Sequence, residues 1–205
     1  MEASEVNKLQ DIGNRASQDE GRSQGYLNIK QSVMNVALHN IECSHLHSDP
    51  DAPDEENRHR WVPFPCGSFV DACIEAFYLT GGVVKSKKFL DIGCGIGTKV
   101  MLADVFFDAH GLELKEEYLS VAKIIGCRNV WQADAMEYEG YGDYDILYFY
   151  CPFRDDALES NFEKHVYRHM KPGTVLLPMH TVTKWDSRWS DMKKIGDFCY
   201  QKENK

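Results

Sequence analysis

The 205 residues contain no apolar run long enough to cross a bilayer, so the sequence offers no transmembrane segment. No secretory apolar core precedes the cysteines, whose number, seven, is odd and whose spacing never gives C-x-x-C. That argues against a disulfide framework and against a zinc ribbon, and the expectation is a cytoplasmic protein with reduced thiols. Positive charge is also scarce. Against 32 Asp and Glu there are only 23 Lys and Arg, a formal net charge of −9. Such a chain repels phosphate backbones unless a local basic patch offsets the field, and none is visible, so nucleic acid is disfavoured as a partner and no membrane partner is expected.

What is present is organised around Phe89 to Ala103, FLDIGCGIGTKVMLA. Phe89, Leu90 and Ile92 read as a buried strand. Gly93, Cys94, Gly95, Ile96 and Gly97 make a turn, and Val100, Met101 and Ala103 fit one face of a helix. Three glycines at alternate positions let the backbone bend sharply and leave room for a ligand against the turn and the first free N–H groups of the helix. The dinucleotide pattern G-x-G-x-x-G needs a glycine three residues after the second, and Thr98 stands there instead. Two further carboxylates fall at later strand ends. Val105 to Leu112 reads as a second strand leading to Glu113, twenty residues beyond Gly93, where a carboxylate can accept both hydrogen bonds of a ribose diol. Asn129 to Gln132 reads as a third, leading to Asp134 and Ala135.

The order Asp91-x-Gly93-x-Gly95-x-Gly97, followed by Glu113 and Asp134, resembles the motifs of the class I S-adenosylmethionine-dependent methyltransferases; the similarity spans roughly Val62 to Pro178. The resemblance implies an α/β fold, a three-layer Rossmann-like sandwich whose seven-stranded sheet is mostly parallel with an antiparallel C-terminal strand. It implies S-adenosyl-L-methionine as cofactor, held by Asp91, Gly93, Cys94, Gly95, Gly97, Glu113, Leu114, Asp134, Ala135 and Tyr150. No metal is implied. A different nucleoside ligand, or a noncatalytic partner subunit that keeps the fold, stays open at this point.

Residues 1–60 read as an N-terminal arm and 61–205 as the methyltransferase-like domain. Met1 to Gly25 has few bulky apolar residues and cannot offset its ordering entropy. Ile29 to Ile41 has helical apolar spacing. His39, Cys43, His45 and His47 come close together but without finger spacing, and read as a solvated segment rather than a metal site. Ser48 to Arg60 is a charged linker. Trp61 and Phe64 open the ordered part, either as cofactor-lid residues or as core. Ser68 then reads as an N-cap for a helix bearing Phe69, Val70, Cys73, Ile74, Phe77 and Tyr78, stopped by Gly81-Gly82.

Downstream, Lys115 to Ile125 and Leu158 to Met170 read as helices, Met136 to Asp143 as a loop, and Tyr144 to Tyr150 and Thr174 to Met179 as strands; Phe198 to Lys202 is a last strand candidate. The strand at Tyr144 to Tyr150 delivers Tyr150-Cys151-Pro152-Phe153 to the edge where an open α/β sheet holds its reactive crevice. Tyr150, Pro152 and Phe153 are the candidate catalytic residues, and Tyr148 and Tyr150 should face opposite to Phe149. Amino-group DNA methyltransferases have an amide, carboxylate or hydroxyl where Tyr150 stands, and cytosine-C5 enzymes order Pro before Cys, whereas here Cys151 precedes Pro152. Cys151 therefore reads as a buried structural thiol. An acidic surface and aromatic walls suit a cationic acceptor, and the partner expected is a basic protein segment presenting a lysine amine, with N-methylation of a small molecule or a nucleic acid as the alternative. His180 is a candidate proton acceptor that more simply reads as a loop histidine.

Overall fold

The computed structural model describes residues 66–179 and 185–204. The arm, with the helix expected over Ile29–Ile41, the His/Cys cluster and the linker, lies outside them, as do Trp61, Phe64 and His180. Seven strands form one sheet in the order β3-β2-β1-β4-β5-β7-β6. They are β1 (Lys88–Ile92), β2 (Asp108–Glu113), β3 (Val130–Gln132), β4 (Ile146–Tyr150), β5 (Val175–Met179), β6 (Met192–Lys194) and β7 (Tyr200–Lys202). The first five run parallel, β7 pairs antiparallel with β5, and β6 antiparallel with β7. From β1 the chain builds outward through β2 and β3, then returns to the other side of β1 with β4. The order therefore reverses between β1 and β4, and a crevice opens at their carboxyl ends.

Helices cover both faces, because parallel strands buried on both sides leave two apolar surfaces to shield. On one face, α1 (Cys66–Leu79), α2 (Thr98–Ala103) and α3 (Glu116–Ile124) pack with Phe89, Ala109, Tyr148, Val175 and Leu177. On the other, α4 (Asp156–His169) and the short α5 (Trp185–Arg188) pack with Leu90, Leu112, Leu147, Phe149 and Leu176. The alternation of Tyr148 and Phe149 between faces is as the period of two requires. Tyr148 meets Phe69 edge-on at 4.7 Å, while Phe149 meets Phe162 at 4.9 Å.

Several boundaries differ from the sequence reading. Ser68 sits inside α1 rather than capping it, since Cys66 and Gly67 are already helical and buried; packing overrides the local cap signal. The strand expected from Val105 begins only at Asp108, whose partner Lys88 is the first residue of β1. Phe106 and Phe107 instead turn onto Phe77, with ring centroids at 5.8 and 6.2 Å. The loop after Asp134 contains a single 3-10 turn, Gly140–Asp143, which buries Tyr141. The C-terminal hairpin is locked by Glu75 of α1, whose two carboxylate oxygens accept the N–H groups of Asp197 (2.7 Å) and Phe198 (2.8 Å).

Candidate functional site

A single cavity at the carboxyl ends of β1, β2 and β4 brings together nearly all of the residues singled out in the sequence. Asp91, Gly93, Cys94, Gly95, Glu113, Leu114, Asp134, Ala135, Tyr150, Pro152 and Phe153 line it. Gly97 does not. At φ 79° its missing Cβ faces away from the cavity, where an added carbon would stand 2.6 Å from Cys127 Sγ. Gly97 thus lets α2 start in a left-handed conformation and lets α3 and β3 close in, rather than touching a ligand. Gly93, at φ 80°, is the reverse case, with open space where a Cβ would be.

Glu113 ends β2 and is buried, yet both its oxygens are engaged. Oε2 accepts the N–H of Gly95 and Oε1 that of Lys115, each at 2.9 Å. The carboxylate therefore fastens the glycine turn to the start of α3. Burial raises its pKa, against the pull of these backbone donors. A carboxylate offers about four lone-pair sites, so Glu113 can hold these backbone donors and still accept from a hydroxyl. Asp134 follows β3, with Oδ1 accepting the N–H of Met136 at 2.8 Å, an Asx turn that sets the wall containing Ala135.

Asp91 is 3% exposed, and burial pushes its pKa up to about 7; the ammonium of Lys99 opposes that shift and the Glu113 charge adds to it. Lys99 itself is 6% exposed and lines the same cavity from the first turn of α2. Sequence reasoning missed it. The available signal was a lysine set in the apolar run of Thr98 to Ala103, where a solvated cation does not belong. Lys115, Tyr118 and Tyr148 also reach the cavity and were not singled out as cofactor contacts.

On the far side of β1 from Glu113, the chain leaves β4 through Tyr150-Cys151-Pro152-Phe153. Cys151 has φ 35°, a left-handed conformation rare for a residue with a Cβ. Its N–H donates to the Met179 carbonyl of β5 at 3.2 Å, and its thiol lies 3.6 Å from the Phe153 carbonyl. Cys151 is half-buried and lines the cavity, so the expectation of a buried structural thiol is corrected: the strained corner turns it toward the site. Its pKa is raised by burial and then by the nearby Glu159, Asp156 and Glu163 carboxylates, which makes it a poor nucleophile.

No protein-family model and no curated protein sequence matches the chain. Solved structures do. A proposed RNA methyltransferase from Pyrococcus horikoshii superposes with TM-score 0.50 at 17% identity, over 69% of this chain and 72% of that one. An RNA methyltransferase from Salinibacter ruber, crystallised with S-adenosyl-L-homocysteine, gives TM-score 0.49 at 17% identity, over 69% and 92% of the two chains. An amino pentose methyltransferase from Micromonospora echinaspora, with S-adenosylmethionine bound, gives 0.42 at 17% identity, over 58% of each. Identities this low speak to architecture, and the strand order with its single reversed strand, β7, agrees with it. The chain has the class I, Rossmann-like fold of the S-adenosylmethionine-dependent methyltransferases.

Proposed function

We propose that this protein binds S-adenosyl-L-methionine and is a methyltransferase whose acceptor is a lysine amine on a basic protein segment. The observation that carries the reading is the convergence of Glu113, Asp134, the glycine turn and the Tyr150–Phe153 corner on one cavity. Glu113, in the cavity wall, supplies acceptor lone pairs for a ribose hydroxyl, Asp134 and Ala135 line the adenine side, and open space at Gly93 admits the amino-acid arm. When bound, the cofactor supplies an electrophilic methyl: its carbon–sulfur bond breaks as the acceptor's nitrogen–carbon bond forms, and the amine proton leaves to solvent.

The chain's own residues then have to align, desolvate and shield. Tyr148, Tyr150 and Phe153 give the acceptor side aromatic walls. A lysine entering between them loses hydration, which favours the neutral amine that attacks, while ring faces attract the methylated cation. Asp91 balances positive charge held near β1. A net charge of −9 favours a basic protein over a nucleic acid.

The test is calorimetric titration with S-adenosylmethionine and S-adenosylhomocysteine on wild type and on Glu113→Ala. Micromolar binding in wild type, weakened by roughly 50-fold or more in the variant, is expected from losing a buried charged acceptor pair. Label transfer to basic proteins, but not to RNA or small molecules, then checks the acceptor. A wild type that binds neither ligand sinks the methyltransferase reading.

A further inference from the structure

Beneath the Tyr150–Phe153 corner, on the first turn of α4, lies Glu159. It is 0% exposed and does not line the cavity. Its Oε2 accepts the N–H of Phe153 at 3.1 Å, and Oε1 has no hydrogen-bond partner among the described residues. A buried carboxylate with one idle oxygen is costly, and burial pushes its pKa up to about 7 against the Phe153 bond, with Glu163 and Asp156 raising it further. A Met at this place would fill the same volume without that cost. Its bond is made two residues from a left-handed non-glycine residue, Cys151 with φ 35°.

Strained residues persist where their surroundings over-determine them. Three ties surround this corner: the Cys151 N–H to Met179 on β5, the Cys151 thiol beside the Phe153 carbonyl, and the Phe153 N–H to Glu159 on α4. Two of them engage β5 or the corner itself; Glu159 alone among them joins it to α4. The Phe153 ring, 5% exposed, rests on Phe162 of the same helix with centroids 5.6 Å apart, so ring and amide are held from one element.

We propose that Glu159 is a positioning residue: by accepting the Phe153 N–H it fixes the strained Tyr150–Phe153 corner that walls the acceptor side of the cavity. This rests on the methyltransferase reading for its consequence and on the corner's geometry for its basis. The strand order makes the consequence directional. Glu113 and Asp134 stand at the ends of β2 and β3, on one side of β1, and the corner stands at the end of β4, on the other. Loosening the corner should therefore disturb the sulfur-bearing end of a bound cofactor and spare the adenosine end.

Two neutral variants of similar volume separate the hydrogen bond from charge and packing. Glu159→Gln keeps a carbonyl acceptor for the Phe153 N–H, and Glu159→Met keeps none. The variants are compared with wild type by calorimetric titration with S-adenosylhomocysteine and with adenosine, after thermal unfolding has checked that each is folded. Expected is a loss of S-adenosylhomocysteine affinity of about tenfold in the Met variant, the worth of one buried charged acceptor, with the Gln variant within about threefold of wild type and adenosine affinity within about twofold in both.

A second readout needs no cofactor. Cys151 is half-buried while the other five cysteines among the described residues are buried, so iodoacetamide labelling at Cys151, read by peptide mass spectrometry, reports the corner. Labelling should be at least about fivefold faster in the Met variant than in the Gln variant, both lacking the charge that raises the thiol pKa. Equal labelling in folded Met and Gln variants, or equal loss of S-adenosylhomocysteine and adenosine, overturns the positioning role. A wild type that binds neither ligand, with the labelling difference intact, overturns the cofactor reading and leaves the Glu159 tether standing.

Discussion

At the scale of single residues, the cavity holds one acid in a state the sequence does not disclose. Asp91 was legible as the motif carboxylate, but its burial and its neighbour Lys99 were not, because both depend on how α2 folds back over β1. With its pKa raised to about 7, Asp91 is held partly protonated at neutral pH. A cation entering the cavity favours the carboxylate and lowers that pKa, so ligand binding at pH 7 should release a fraction of a proton. Titrating S-adenosylhomocysteine, which carries an ammonium group, in buffers of different ionisation enthalpy measures it. The observed heat should vary with buffer in wild type and not in Asp91→Asn, and affinity should rise as pH goes from 6 to 8. Heats independent of buffer in wild type would show that Asp91 does not meet the cationic end.

At the scale of elements, glycines divide into those that shape the fold and those that make room. Gly111 of β2 faces α2, where an added Cβ would lie 2.7 Å from both Cys94 Sγ and Val100 Cγ2. Gly111→Ala should destabilise by about 1–3 kcal/mol through overpacking, and Gly97→Ala by a similar or larger amount because left-handed strain is added to its contact with Cys127. Gly93→Ala meets no atom, so only conformational strain of about 1–2 kcal/mol is expected, yet its methyl would enter the open space that the proposed binding mode gives to the cofactor's amino-acid arm. Urea midpoints should rank Gly93→Ala as the mildest of the three, and S-adenosylhomocysteine affinity should fall in it all the same; unchanged affinity would remove Gly93 from the site. All three glycines stood in the sequence, but only the pattern at Gly93, Gly95 and Gly97 announced itself. Gly111 was hidden inside VFFDAHGL, since a lone glycine in a strand says nothing about which helix comes close. Strand types were legible from β-branched and aromatic runs, while their ends were not: pairing partners set them, as Lys88 does for Asp108. The hairpin of β6 and β7 was foreseen only as a remainder, because its strands are three residues each and Glu75, far away in sequence, holds its turn.

At the scale of the whole molecule, two classes of carboxylate pull stability in opposite directions with pH. Asp91 and Glu159 have pKa values raised to about 7 from ordinary values of 3.8 and 4.5, chiefly by burial. Between those limits the folded chain binds more protons than the unfolded one, so their contribution weakens as pH rises toward 7 and is fully restored only below about 4. Glu75 and Asp145 are held below their ordinary values, by backbone N–H donors that outweigh their partial burial and by neighbouring lysines. Their contribution is present above about 4.5 and lost as pH falls further. Self-repulsion acts in the first direction too, since a formal charge of −9 at pH 7 shrinks toward the isoelectric point of about 5.3. The sum places maximum stability near pH 5 rather than at neutrality. Thermal midpoints measured from pH 4 to 8 should peak there and decline toward 8. The double variant Asp91→Asn, Glu159→Gln should remove much of that decline by raising the midpoint at pH 8 while leaving it nearly unchanged at pH 4. A midpoint that climbs steadily from pH 5 to 8 in wild type would mean that neither acid is buried in the charged form at neutral pH, and that the cavity is wetter and the α4 tether looser than the packing of these elements indicates.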